Sequence, residues 1–177
     1  MADLGVTYRI CVVCAGNICR SPIAEVVLRH RLDEAGLSDR VAVESAGTGG
    51  WHAGDPADPR ALEVLRAHGY DGSAHRARQF DRTWFDRFEL VLALDRDNLA
   101  DLHRIAPDEA AHDALQMLRA YDSAALDRGE LDVPDPYYGD ESDFEHVLDL
   151  VDRAATSLVA TILSEFETEH GGEPSRR

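Results

Sequence analysis

Tyr8-Arg9-Ile10-Cys11-Val12-Val13-Cys14-Ala15-Gly16-Asn17-Ile18-Cys19-Arg20-Ser21-Pro22 carries the architecture of this chain, because it passes from a buried strand through a tight loop into a helix. Tyr8 to Val13 is a short run rich in apolar and β-branched residues, the kind buried on both faces of a parallel sheet. Ser21 is expected as the helix N-cap, with Pro22 in the first helical position, where a missing N–H costs nothing. Ile23, Val26, Val27, Leu28 and Leu32 then give the helix an apolar face for the sheet. The residues between strand and helix form a strand-to-helix turn.

Such a turn can hold an anion. Backbone N–H groups leading into a helix N-terminus converge and carry partial positive charge, so they can replace the water around a phosphate-like dianion. The expected cradle is Ala15, Gly16, Asn17, Ile18, Cys19 and Arg20, with Gly16 and Asn17 the residues best able to take positive φ. Arg20 adds a planar fork of donors to two anion oxygens, a geometry lysine does not reproduce. The same positive field favours a thiolate over a thiol, which makes Cys14 the expected nucleophile.

Outward from this stretch, apolar runs alternate with helical patterns. Strands are expected near 8–13, 41–45, 89–94 and 114–118, and helices over 22–36, 58–68, 96–105 and 142–166. This alternation implies an α/β fold with a parallel, doubly wound sheet, in which ligands bind beyond the carboxyl ends of the strands. The Cys14 loop lies at such an end. A chain of 177 residues suits one domain, expected over residues 1–167, with a flexible charged and Gly-containing tail over 168–177.

The loop resembles the signature of the low-molecular-weight protein tyrosine phosphatases, Cys-x5-Arg-Ser with Gly-Asn inside and Pro after the Ser. Later stretches are similar to that family's landmarks in the same order: Ser45-Ala46-Gly47-Thr48, Trp51, His75 with Arg78-Gln79, Leu94-Asp95 with Asn98, and Asp135-Pro136-Tyr137-Tyr138-Gly139. The resemblance covers roughly residues 6 to 167 and implies a four-stranded sheet with helices on both faces. It also implies a phosphotyrosine-containing protein as substrate, a phosphocysteine intermediate on Cys14 and Asp135 as general acid and base. Expelling tyrosine, whose hydroxyl has a pKa near 10, requires a proton donor at the bridging oxygen. Taken without the resemblance, Asp135 in Asp-Pro is ordinary turn chemistry, and Asp132 and Asp140 compete with it for the role.

The resemblance further implies that Ser21 hydrogen-bonds the sulfur, that Ser45 and His75 support the loop with Asn17, and that Trp51, Tyr137 and Tyr138 wall the substrate cleft. Residues alone leave Ser21 as a plain cap and each aromatic as core or cleft. Tyr137 and Tyr138, set among acidic residues, are also candidate phosphorylation targets. Cys19 shares the loop with Cys14 and is placed to form a reversible disulfide with an oxidised nucleophile, which the resemblance implies too. Cys11 reads as a buried core thiol rather than half of a redox pair, because the valines between it and Cys14 are strand residues. No metal is expected, since Cys11, Cys14 and Cys19 lack a fourth close ligand, and no cofactor is required where a guanidinium and amides already supply positive charge.

Other functions fail on residues. The chain contains no lysine, which removes the nucleoside-triphosphate loop Gly-x4-Gly-Lys-Ser/Thr, and no Gly-x-Gly-x-x-Gly follows the first strand. An arsenate reductase on the same fold needs relay cysteines downstream, and none follows Cys19. A non-catalytic phosphotyrosine-binding module would tolerate loss of nucleophile or acid, and both are present. The net charge of −16 argues against nucleic acid or an anionic membrane as partner and for substrates without dense acidic flanks. No signal-peptide pattern or membrane-spanning run is present, so a cytoplasmic monomer is expected, with export without a signal peptide and a tyrosine kinase partner left open.

Overall fold

A computed structural model describes residues 5–170. Four parallel strands, β1 (Tyr8–Cys14), β2 (Val41–Gly47), β3 (Leu90–Ala93) and β4 (Leu115–Met117), form one sheet in the order β2-β1-β3-β4. β1 therefore lies where the winding reverses: Cys14 sits opposite Gly47 of β2, and Val13 sits opposite Ala93 of β3. The crevice at such a switch point opens beyond the carboxyl end of the strand, which is where residues 15–19 run.

Alternate residues of β1 feed two cores, as strand periodicity demands. Ile10 and Val12 join Val27, Leu28, Val64, Val151 and Leu158, so α1 (Arg20–Glu34), α2 (Pro59–Ala67) and the long C-terminal helix cover that face. Cys11 and Val13 point the other way, into a cluster with Phe80, Phe85, Val91 and Leu102 beneath α3 (Arg96–Ile105). Cys11 is thus the core thiol its strand position implied; burial first, then the charge of Glu44, pushes it far up and keeps it protonated. Phe144 anchors the start of the C-terminal helix; it is fully buried, and removing a side chain of that size from water stabilises a fold by about 2 kcal/mol.

Several local differences from expectation have physical causes. Helix α1 starts at Arg20 with Cys19 at the cap position and no side-chain cap, because the Ser21 hydroxyl is buried in the loop's own hydrogen bonds. Gly16 does not take positive φ; only Asn17 does among the loop residues, at 57°. A Cβ on Gly16 would lie 3.2 Å from the His52 ring, a tight contact that the ring would have to relieve. Four short helical segments were not expected: 3-10 turns at Arg82–Arg87 and Leu118–Tyr121, α4 (Glu109–Asp113) and α5 (Ser123–Arg128). All but the turn at Leu118–Tyr121 follow an aspartate, Asp81, Asp108 or Asp122, whose carboxylate accepts backbone N–H groups of the first turn.

Helix α6 (Glu141–His170) passes the expected end near 166, so the first residues assigned to the tail are helical. The remainder of that segment, 171–177, lies outside the described residues. No helix among the described residues is long and apolar enough to cross a membrane.

Candidate active site

Residues 14–20 are pinned from below by their strand neighbour and from within by Asn17. The segment after β2 lies against the loop: Thr48 N–H donates to the Cys14 carbonyl at 2.8 Å and Gly49 N–H to the Ala15 carbonyl at 3.0 Å. This approach requires Gly47, since a Cβ there would stand 2.6 Å from the Ala15 oxygen. Asn17 uses both donors and one acceptor site of its side-chain amide. Its Nδ2 donates to Ser21 Oγ at 2.7 Å and Ser45 Oγ at 3.0 Å, and its Oδ1 accepts from Arg78 N–H at 2.9 Å. Its carbonyl accepts from His75 Nε2 at 2.7 Å, so that nitrogen carries a proton.

Beneath Asn17 lies a buried carboxylate that sequence reasoning missed. Ser45 Oγ donates to Glu25, His75 Nδ1 stands 3.7 Å from the same carboxylate and Arg29 pairs with it at 2.6 Å. Burial works to raise the Glu25 carboxyl, but hydrogen bonds from His75 and Ser45 and the Arg29 charge outweigh it and hold Glu25 below the ordinary value. Asn17→Ala removes all the side-chain bonds at a buried position and leaves a β-carbon at left-handed φ. A loss of about 2–4 kcal/mol in unfolding free energy is expected from a urea titration. Asn17→Gly, which relieves the φ strain but not the lost bonds, should recover about 1 kcal/mol of that.

The network delivers two donors to sulfur. Cys14 Sγ lies 3.0 Å from Ser21 Oγ and accepts from Asn17 N–H at 3.3 Å. Ser21 Oγ accepts from Asn17 and can donate either to the sulfur at 3.0 Å or to the Ala46 carbonyl at 3.4 Å; towards a thiolate it is the donor. Ser21 therefore touches the sulfur and is not a cap.

Arg20 is 3 % exposed. Its Nη1 donates to Asp95 Oδ2 at 2.6 Å and to the Val133 carbonyl at 3.0 Å, which fixes the plane of the guanidinium and leaves Nη2 facing Asp135 Oδ2 at 3.8 Å. Burial opposes the charge, but Cys14, then Asp95 and Asp135, outweigh it and keep Arg20 cationic. Asp95 also caps α3 through Asn98 N–H at 2.7 Å, so the residue that aims the guanidinium is itself locked by a helix terminus.

Asp135 arrives from the loop before α6 with its side chain 55 % exposed; Oδ1 accepts from Tyr137 N–H at 3.1 Å, which leaves Oδ2 for the cleft. Arg60, also missed by the sequence reading, braces this loop: Nη1 donates to the Gly139 carbonyl at 3.3 Å, and the guanidinium lies over Phe144 and Tyr137 while its other nitrogens hold Asp58. The competing carboxylates are occupied elsewhere, Asp132 with Arg96 at 3.1 Å and Asp140 with the first turn of α6.

Cys14, Ala15, Gly16, Ile18, Cys19, Arg20, Trp51, Asp135, Tyr137 and Tyr138 all line one cleft of about 180 Å³. Asn17, Ser21, Ser45 and His75 lie outside its lining, joined by the hydrogen bonds beneath the loop. His52 joins the lining without having been expected. Trp51 is 75 % and Tyr138 96 % exposed, so they are rim residues and not core. Burial, then the Asp58 charge and Cys14, pushes the Cys19 thiol up to about 12. A larger cavity of about 290 Å³ behind the loop, lined by Glu25, Arg29, His75 and Arg78, holds no nucleophile.

Residues 9–168 match the family described as low molecular weight phosphotyrosine protein phosphatase. A low molecular weight protein-tyrosine-phosphatase of Streptomyces coelicolor is 52% identical over 161 residues, which is 91% of this chain and 97% of that one. A protein tyrosine phosphatase crystal structure from Entamoeba histolytica superposes with a TM-score of 0.84 at 30% identity, over 90% of this chain and 99% of that one. The structure of Vibrio vulnificus Wzb in complex with benzylphosphonate gives a TM-score of 0.75 at 30% identity, covering 87% and 98%. With a cysteine, an arginine and an aspartate gathered around a strand-to-helix anion loop and a match running nearly end to end, the chain belongs to the low-molecular-weight phosphotyrosine protein phosphatase family.

Proposed function

We propose that this protein is a protein tyrosine phosphatase that hydrolyses phosphotyrosine in two in-line steps through a phosphocysteine on Cys14. The observation that carries this reading is the position of Cys14 Sγ, under two hydrogen-bond donors, in a cleft closed by Arg20 on one side and Asp135 on the other. In the first step the sulfur attacks phosphorus, the bond to the phenolic oxygen breaks, and that oxygen takes the proton of Asp135. Arg20 and the loop amides hold the equatorial oxygens through the transition state. In the second step Asp135 removes a proton from water, the water oxygen attacks phosphorus, and the sulfur leaves as a thiolate received by Ser21 Oγ–H and Asn17 N–H.

The mechanism needs Asp135 protonated once substrate is bound. In the free protein its carboxylate faces Arg20. An arriving dianion takes that guanidinium and adds its own negative charge, and both changes favour the protonated carboxyl just when an acid is needed. Trp51, Tyr137 and Tyr138 raise the walls of the cleft, a depth that suits the longer reach of phosphotyrosine over phosphoserine. The bound benzylphosphonate of the Vibrio vulnificus relative, a phenyl ring one carbon from a phosphonate, supports the same occupant here.

The test is to trap the intermediate. Acid quench during turnover of an aryl phosphate should leave one phosphoryl group on the peptide containing Cys14, and phenol release should show a burst of one equivalent per enzyme in EDTA. A steady rate with no burst and an unmodified Cys14 peptide would remove the covalent route.

A further inference from the structure

Trp51 has two sides. One faces the Cys14 cleft; the other lines a separate groove of about 400 Å³ whose opposite wall is Ile105, the last residue of α3. Its floor is Gly49 and Gly50. A Cβ on Gly49 would strike the Trp51 ring and one on Gly50 would lie 2.7 Å from Gln79 Oε1, so no side chain can fill the groove from below. The polar groups at its rim are already paired: Arg104 Nη1 with Asp101 at 2.8 Å, and Gln79 Nε2 with the Thr48 carbonyl at 3.2 Å. Beside the exposed Arg104–Asp101 pair, the Trp51 ring and the Ile105 side chain are the apolar part of the lining.

Six large apolar side chains stand exposed among the described residues, and four of them, Trp51, Ile105, Tyr137 and Tyr138, border either the cleft or this groove. Ile105 is 37 % exposed, on a helix whose other solvent-facing side chains, Ala100 apart, are polar. Taking the phosphotyrosine reading as given, we infer that this groove is a subsite for the substrate polypeptide and receives an apolar side chain flanking the phosphotyrosine, clasped between Trp51 and Ile105. The groove is continuous with the cleft through one shared tryptophan, so a chain that has seated its phosphotyrosine passes directly over it. Ile105 makes no contact with the phosphoryl group in this arrangement; it sets which sequences are preferred.

The experiment compares phosphotyrosine peptides carrying leucine or serine at each flanking position, with a free aryl phosphate measured alongside. The parent should favour leucine at one position by about tenfold in kcat/KM, the scale on which an apolar pocket discriminates. Ile105→Asp should abolish that preference and instead favour arginine at the same position, a gain that misfolding cannot imitate. Equal turnover of leucine and serine peptides by the parent, or a leucine preference that survives Ile105→Asp, overturns the inference. So does absence of a preference together with an Ile105-dependent dimer in sedimentation, which would assign the groove to a second copy of the chain. Hydrolysis of the free aryl phosphate separates these outcomes from failure of the phosphatase reading, in which peptides and aryl phosphate would all be left intact.

Discussion

Cys14→Ser is expected to lower kcat for an aryl phosphate by at least about 10⁴-fold, as loss of a covalent nucleophile does in other enzymes, while inorganic phosphate still binds. The two consequences separate because the residue has two surroundings. In the proposed mechanism its sulfur is the attacking atom, and a serine hydroxyl in the same place keeps its proton. The oxygens of the anion, in the same proposal, are held by the guanidinium of Arg20 and by the amides of 15–20, none of which the substitution touches. The contacts under the sulfur, from Ser21 and Asn17, are equally open to an oxygen. Phosphate titrated calorimetrically into the variant should therefore give a Kd near the parent's. Turnover persisting in Cys14→Ser would place the nucleophile elsewhere, and loss of both turnover and binding would mean that the sulfur holds the loop together.

The parts of this site that the sequence discloses are those that are local. Cys14 and Arg20 fall within one strand-to-helix turn, and the turn alone dictates an anion cradle. The parallel sheet is legible for the same reason, since each strand–helix pair advertises itself by a change of hydrophobic period. Glu25 and Arg60 escaped, and Asp95 was marked only as a landmark by resemblance without a role, because their importance is set by contacts far along the chain. Arg20 reaches Asp95 across 75 residues, and Arg60 reaches the Gly139 carbonyl across 79. Nothing in Asp95-Arg96-Asp97-Asn98 distinguishes a carboxylate that orients a catalytic guanidinium from an ordinary helix cap; it is both.

Ser21 shows the opposite error. A serine before a proline at a helix start satisfies every local rule for a cap, and tertiary packing overrode it, because Asn17 in its left-handed conformation presents an amide that captures the hydroxyl. The short helices α4 and α5 carried a usable signal in Asp108 and Asp122. Their apolar faces are too brief for periodicity to register them, and only the capping carboxylate marks where they begin.

Asp135→Asn is expected to reduce kcat by about 10²–10⁴-fold for phenyl phosphate and by far less for p-nitrophenyl phosphate, whose leaving group is the stronger acid. Asparagine matches aspartate in size and can still accept from Tyr137 N–H through its carbonyl oxygen, so the loop that Arg60 braces has no reason to move. Only the transferable proton is lost. Phenol, with a pKa near 10, departs slowly as a phenolate, and the deficit should grow steadily as leaving-group pKa rises across a series of aryl phosphates. Asp132→Asn gives the decisive contrast. Its carboxylate serves Arg96, holding both the side chain and the backbone N–H, so its loss should slow all members of the series alike or not at all. A uniform decrease for Asp135→Asn, or a steep leaving-group dependence for Asp132→Asn, would transfer the acid from the residue facing Arg20 across the cleft to its neighbour beside α3.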